Sequence, residues 1–183
     1  MSTMTTLPFG RPLTRADLES LPTDDGHRYE LIDGVLLVSP GPRHGHQTVL
    51  GNLHLLMRQS CPVHLQVLFA PFAVALSEDT EVQPDLLVAP RSQFTDRELP
   101  GAPLLAVEVL SPSTRRVDLL LKRDRFQSAG VPSYWLVDPD EPAVTVLELR
   151  DGVYEQVAHV TGDEVCEVLL PFPVRLVPSD LID

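Results

Sequence analysis

Two carboxylates stand where the hydrophobic pattern leaves them little room. Asp85 follows Pro84 at the head of Leu-Leu-Val-Ala, and Glu108 interrupts the run Leu-Ala-Val-Glu-Val-Leu at 105–110. A buried carboxylate is costly unless a cation or hydrogen-bond donors meet it. A hard divalent ion is one such partner, since Mg²⁺ takes one or two carboxylates and keeps several waters. For Glu108 the alternative is a salt bridge to an arginine of the following helix. For Asp85 it is a Pro-Asp turn.

A third residue joins them through composition. Thirteen of the 14 basic residues are arginine, and Lys122 is the sole lysine. Arginine is a delocalised, permanently charged fork, whereas lysine is a compact point charge. A site that orients a water or holds one phosphate oxygen can demand the compact form. The ordinary alternative is a surface pair with Asp118, four residues earlier, worth ~0.2–0.5 kcal/mol.

The elements that must position these groups follow from patterning. Leu13–Leu21 reads as a short helix capped by Thr14, with Asp17 in its first turn. Arg28–Ser39 reads as a hairpin about Asp33-Gly34, and Val144–Leu149 with Val153–His159 as a second about Asp151-Gly152. Residues 46–59 carry Val49, Leu50, Leu53, Leu56 and Met57 at helical spacing. Val63–Ser77, broken by Pro71, suggests two short strands or one bulged strand. Asp85–Ala89, Leu104–Leu110 and Tyr134–Val137 suit interior strands covered on both faces. Thr114–Ala129 is the clearest helix, ended by Gly130 and Pro132. Val165–Leu170 could add one more strand. The whole is an α/β (mixed α+β) arrangement with a mixed sheet.

Length and charge bound the rest. A chain of 183 residues fits one domain spanning 1–183, with residues 1–12 as a flexible lead-in. Net charge is −12, which excludes a broad basic coat for nucleic acid or membrane. The excess is uneven: residues 138–183 carry −9, whereas 115–125 carry +3. The basic segment is thus the helix that bears Lys122, and a local field there governs a cleft better than net charge does. Cys61 and Cys166 form no CxxC and read as buried small residues, as expected in a reducing cytoplasm. The run Val67–Leu76 is half the ~20 residues a membrane helix needs. No Walker A loop, GxSxG elbow or HExxH occurs.

The acids and their flanks resemble the PD-(D/E)XK nuclease superfamily, and more specifically its Uma-type restriction endonuclease family. The resemblance rests on Tyr29-Glu-Leu-Ile-Asp-Gly, His44-Gly-His46, Gln83-Pro-Asp-Leu-Leu-Val, Val107-Glu-Val-Leu-Ser-Pro-Ser-Thr, Asp118–Lys122 and Gly130-Val-Pro-Ser-Tyr-Trp-Leu-Val-Asp-Pro. It implies a restriction-endonuclease-like core, a central mixed sheet flanked by helices with added hairpins. It implies Asp85 and Glu108 as ligands of Mg²⁺ or Mn²⁺, with Lys122 and Glu30 as further catalytic residues. The superfamily's usual lysine position is here Leu110, and family members resemble this chain in placing the lysine on the following helix.

The function so implied is a metal-dependent endonuclease hydrolysing phosphodiester bonds, chiefly in DNA, in a cytoplasmic protein that a homodimer could complete. The alternative is a catalytically inactive nuclease-fold module that binds a protein or nucleic-acid partner. A carboxylate-pair glycosidase finds no support in the lysine or the flanking motifs. For Glu30 a solvated strand residue paired with Arg28 stays open. For His44 and His46, two apart at a helix start, capping or loop contacts are favoured over metal binding. Asp138 reads as a turn residue, and Tyr134 and Trp135 as core.

Overall fold

Alternation along single strands decides which side chains meet. A computed structural model describes residues 10–21 and 26–182. Its central sheet has six strands in the order β11-β10-β9-β8-β6-β3. These are β3 (Leu65–Phe69), β6 (Leu86–Pro90), β8 (Leu105–Val109), β9 (Ser133–Asp138), β10 (Ala143–Arg150) and β11 (Val153–Thr161). β8 and β9 run parallel and the other neighbours antiparallel, so the sheet is mixed. Every residue of β8 and β9 is buried, as interior strands covered on both faces require.

Successive strand residues point to opposite faces. On one face Leu86, Val88, Leu105, Val107, Val109 and Trp135 pack beneath α2 (His44–Ser60), whose buried stripe is Val49, Leu50, Leu53 and Met57. A two-stranded ribbon, β12 (Cys166–Val168) and β13 (Val174–Leu176), closes that side. On the other face Leu87, Ala106, Leu110, Tyr134 and Leu136 meet Phe126 and a second sheet. Glu108 shares the parity of Ala106 and Leu110, and so points to this second face.

The second sheet has the order β2-β1-β5-β4-β7. Its strands are β1 (His27–Ile32), β2 (Val35–Pro40), β4 (Ala73–Ser77), β5 (Thr80–Val82) and β7 (Glu98–Pro100). β1 and β2 form the expected hairpin, and Asp33 (φ 53°) and Gly34 (φ 73°) make the left-handed turn. Pro71 ends the ambiguity of Val63–Ser77: β3 and β4 are separate strands and lie in different sheets.

The short first helix, α1 (Arg15–Leu18), is held by Asp17, which accepts from the Thr14 N–H at 2.8 Å. Residues 1–9 of the expected flexible lead-in lie outside the described residues. Arg11, in its described part, donates twice to Asp17 at 2.8 Å.

The crossover from β8 to β9 departs from a regular helix. A π-helical stretch, Val117–Lys122, leads into α3 (Arg123–Ser128). Such widened turns often occur at functional sites. This one sets Asp118 and Lys122 on the buried side and leaves Leu120 and Leu121 exposed. Two further readings are corrected. Only Cys166–Val168 of the expected 165–170 strand pairs, because Leu169 and Leu170 turn out to solvent. Cys61 is half-buried, since it caps the end of α2, whereas Cys166 is buried. The strands β5, β7 and β13 are three residues each, too short to show a period.

Candidate functional site

Four acids and two strong bases meet where the two sheets and the crossover helix converge. Glu30 comes from β1, Asp85 from the residue before β6, Glu108 from β8, and Asp118 and Lys122 from the π stretch. All five are at most 2% exposed. Arg28 lies two residues before Glu30 on the same strand, hence on the same face.

Lys122 is the hub. Its Nζ lies 2.9 Å from Glu30 Oε1, 3.0 Å from Glu108 Oε1 and 3.7 Å from Asp118 Oδ1. The partner of Glu108 is therefore this lysine and not an arginine. The surface pair of Asp118 with Lys122 is instead a buried one, on the inward face of the π stretch. Glu30 is not a solvated strand residue either: its Oε1 also accepts from the Gln83 N–H at 2.7 Å, and Arg28 Nε stands 3.5 Å from its Oε2.

Asp85 forms the second half. Its Oδ1 accepts from Arg28 at 2.9 Å, and its Oδ2 from the Val109 N–H at 2.8 Å. His46 Nε2 is 3.0 Å from the same Oδ2. His46 thus makes a side-chain contact with the site, while His44 is exposed. One residue from Glu108, the Val109 amide ties Asp85 to the end of β8.

The electrostatics follow from burial against pairing. Burial pushes the Asp85 carboxyl up, but the His46 hydrogen bond and the Arg28 charge outweigh it and hold it below the usual carboxylate range. Burial raises Glu108 well above that range, since Lys122 only partly offsets Asp118, Asp85 and Glu30. Asp118 is raised for the same first reason, burial. Burial works against the Lys122 ammonium, yet Glu108 and Glu30 overcome it, so the group stays charged. Four carboxyls face two permanent cations, an excess of two negative charges when all ionise. Protons or a divalent cation can make up that difference.

Glu108 Oε2 and Asp118 Oδ1 are buried without a hydrogen-bond partner. The donors are hard oxygens, the chemistry that suits Mg²⁺ or Mn²⁺. Among the described residues no group of three ligating side chains forms a ready cage. The set therefore fits an ion held by one or two carboxylates with water in its other positions.

Access comes from one side. A cleft of about 1190 Å³ reaches Asp85, Arg28 and His46, with Gln83, Leu110 and Ser111 beside them. Glu30, Glu108, Asp118 and Lys122 lie behind that wall. The cleft carries Arg15, Arg43 and Arg97 but also Glu81, Asp96 and Glu98, and Arg15 is paired with Glu81 and Glu98. The expected basic field of residues 115–125 is not turned on the cleft. Arg115 pairs with Asp138 at 2.6 Å, Arg125 pairs with Asp33 and Asp124, and Lys122 is buried. Asp138 is still a turn residue, accepting from the Asp140 and Glu141 N–H groups. Tyr134 and Trp135 are fully buried, as core residues should be.

Arg28, His46 and Asp118 are the members that patterning passed over as site residues. For Arg28 the only signal is its two-residue spacing from Glu30, and for Asp118 its four-residue spacing from Lys122. His46 stands in the His44-Gly-His46 motif, but nothing in the sequence names its partner, 39 residues away.

Comparison with known proteins bears on this arrangement. The family model Uma2, described as "Putative restriction endonuclease", matches residues 15–178. A solved structure, described as a putative nuclease belonging to DUF820 from Anabaena variabilis, superposes with a TM-score of 0.71 at 21% identity. The match covers 93% of this chain and 98% of that one, and the shared fold agrees with a restriction-endonuclease-like core. No curated protein sequence matches. Among the described residues no helix is long and apolar enough to cross a membrane.

Proposed function

Because the chain belongs to the Uma2 restriction endonuclease family, we propose that it is a divalent-metal-dependent phosphodiesterase that cleaves nucleic acid, chiefly DNA. The observation that carries this reading is Glu108. It is a wholly buried carboxylate with one oxygen on Lys122 and the other without a partner, inside a cluster short of positive charge. The DUF820 neighbour is described as a "putative nuclease", which agrees.

Asp85 and Glu108 would hold Mg²⁺ or Mn²⁺. When bound, the ion polarises the scissile phosphate and acidifies an attacking water. The chain's own groups supply the rest. Arg28, His46 and the Val109 N–H fix the Asp85 carboxylate in its ionised form and in one orientation. Lys122 is a permanent point charge that offsets the charge growing on the phosphate or orients the water. Glu30 holds Lys122 in place and is itself held by the Gln83 amide. The substrate phosphate must enter through the cleft, since Asp85 is the acid that lines it.

One observation favours a second reading, a nuclease-fold module that binds without cutting. Glu30, Asp85 and Glu108 already have internal cationic partners. Calorimetric titration with Mn²⁺, run beside cleavage assays on single- and double-stranded DNA and RNA, separates the two. Saturable Mn²⁺ binding that Asp85→Asn abolishes, together with Mn²⁺-dependent cleavage, supports the nuclease. Binding of nucleic acid without Mn²⁺ uptake or cleavage supports the module.

A further inference from the structure

Lys122 sits where a cation is wanted, which raises the question of where it goes when another cation arrives. Its ammonium has three N–H donors and three carboxylates around it, yet it uses only two of them well. Glu30 and Glu108 stand at 2.9 and 3.0 Å, whereas Asp118 stands at 3.7 Å with its Oδ1 unbonded and buried. Thr114 hydrogen-bonds the Asp118 carboxyl, but its Oδ1, buried without a partner, is an acceptor left unused at a cost in stability. The Glu108 oxygen that faces Lys122 belongs to the same carboxyl that the metal reading needs.

We propose that Asp118 is the alternate seat of Lys122. The ammonium is the internal counter-ion of Glu30 and Glu108, and divalent ion binding at Glu108 moves it onto Asp118. The proposal rests on the metal-nuclease reading above. It gives Asp118 a positioning role: without it, Lys122 would keep Glu30 as its one carboxylate partner while facing a dication. The shift needed is small, since Asp118 Oδ1 is less than an ångström beyond bonding distance, and Lys122 reaches it along its own helix, four residues away. It also keeps Lys122 within the site, where its charge remains available to the substrate.

The sole lysine makes the test direct. Selective ¹³C,¹⁵N-lysine labelling of the full chain yields one lysine side-chain NMR signal, from Lys122. Mg²⁺ is titrated into wild type and Asp118→Asn, with calorimetry of Mg²⁺ and Mn²⁺ binding in parallel. The proposal expects the Lys122 signal to move saturably with Mg²⁺ in wild type, at the calorimetric midpoint. In Asp118→Asn it expects Mn²⁺ affinity to fall by about tenfold or more, the loss usual when a group supporting a metal ligand is removed. Mg²⁺ binding with an unmoved Lys122 signal overturns the proposal and leaves the metal reading standing. No Mg²⁺ or Mn²⁺ binding to wild type overturns both. Unchanged Mn²⁺ affinity in a folded Asp118→Asn also overturns it. Should that variant fail to fold by near-UV circular dichroism, the wild-type signal alone decides.

Discussion

Replacing Lys122 with methionine removes the ammonium while keeping most of the buried stem. Glu30 and Glu108 then lose partners at 2.9 and 3.0 Å, at sites 2% and 0% exposed. Breaking a buried pair by removing one partner costs about 3–5 kcal/mol, a large part of the ~5–15 kcal/mol typical of a domain. With a urea m-value of roughly 2 kcal/mol/M, the midpoint should fall by about 1.5–2.5 M. Trp135 is the only tryptophan and is fully buried, so its fluorescence reports the transition. The pH dependence has a definite sign. Burial already raises Glu108 and Asp118, and Lys122 is the charge that lowers them. Without it both rise further. A carboxyl raised in the folded state binds more protons folded than unfolded between ~pH 4 and its folded value, so stability falls as pH rises through that window. The deficit of Lys122→Met should therefore be larger at pH 8 than at pH 5. Adding Glu108→Gln should restore much of it, a coupling that a double-mutant cycle reads directly. A variant as stable as wild type at pH 7, or a deficit constant from pH 5 to 8, would refute the reasoning.

Glu108→Gln alone should cost less than half the loss seen in Lys122→Met, because Glu30 still pairs with the ammonium and one raised carboxyl is gone; urea titration compares them. Gly34→Ala should lower stability by about 2 kcal/mol, as left-handed strain costs ~1–3 kcal/mol. The added Cβ would also stand 2.5 Å from Pro12 Cβ at a φ of +73°, and differential scanning calorimetry should show a Tm drop of several degrees. Tyr134→Phe removes a hydroxyl that donates to the Asp118 carbonyl at 2.9 Å. It should cost ~1–2 kcal/mol in the same urea assay, and an unchanged midpoint would show that this bond does not hold the π stretch.

What could be read from the chain divides along physical lines. Both hairpins were legible because Asp33-Gly34 and Asp151-Gly152 supply the left-handed φ values such turns demand. Glu108 stood out because a charge in a strand that is otherwise apolar breaks the period. Lys122 was marked by composition, yet its burial was not. Asp118 and Lys122, four apart, share a face even of a regular helix, but the sequence gives no reason for that face to be buried while Leu120 and Leu121 are exposed. Arg28 and His46 became visible only with tertiary contacts, since the tie to Asp85 spans 57 residues for one and 39 for the other. The charge count misled for a related reason. Of the bases behind the +3 of residues 115–125, Arg115 pairs with Asp138, Arg125 with Asp33 and Lys122 with Glu30 and Glu108, and no one-dimensional sum can record that pairing.

If Asp85 and Glu108 hold a divalent ion for phosphodiester cleavage, as we propose, then both the ion and Glu108 are needed for cutting. Cleavage of a nucleic-acid panel is followed as Mn²⁺ is titrated, for wild type and for a Glu108→Gln protein shown to be folded by circular dichroism. Wild type should cut only with the ion present and stop with EDTA, and the variant should lose cleavage by about a hundredfold or more, a loss typical of removing a principal electrostatic group. Cleavage that survives EDTA, or that Glu108→Gln leaves undiminished, would contradict the proposal.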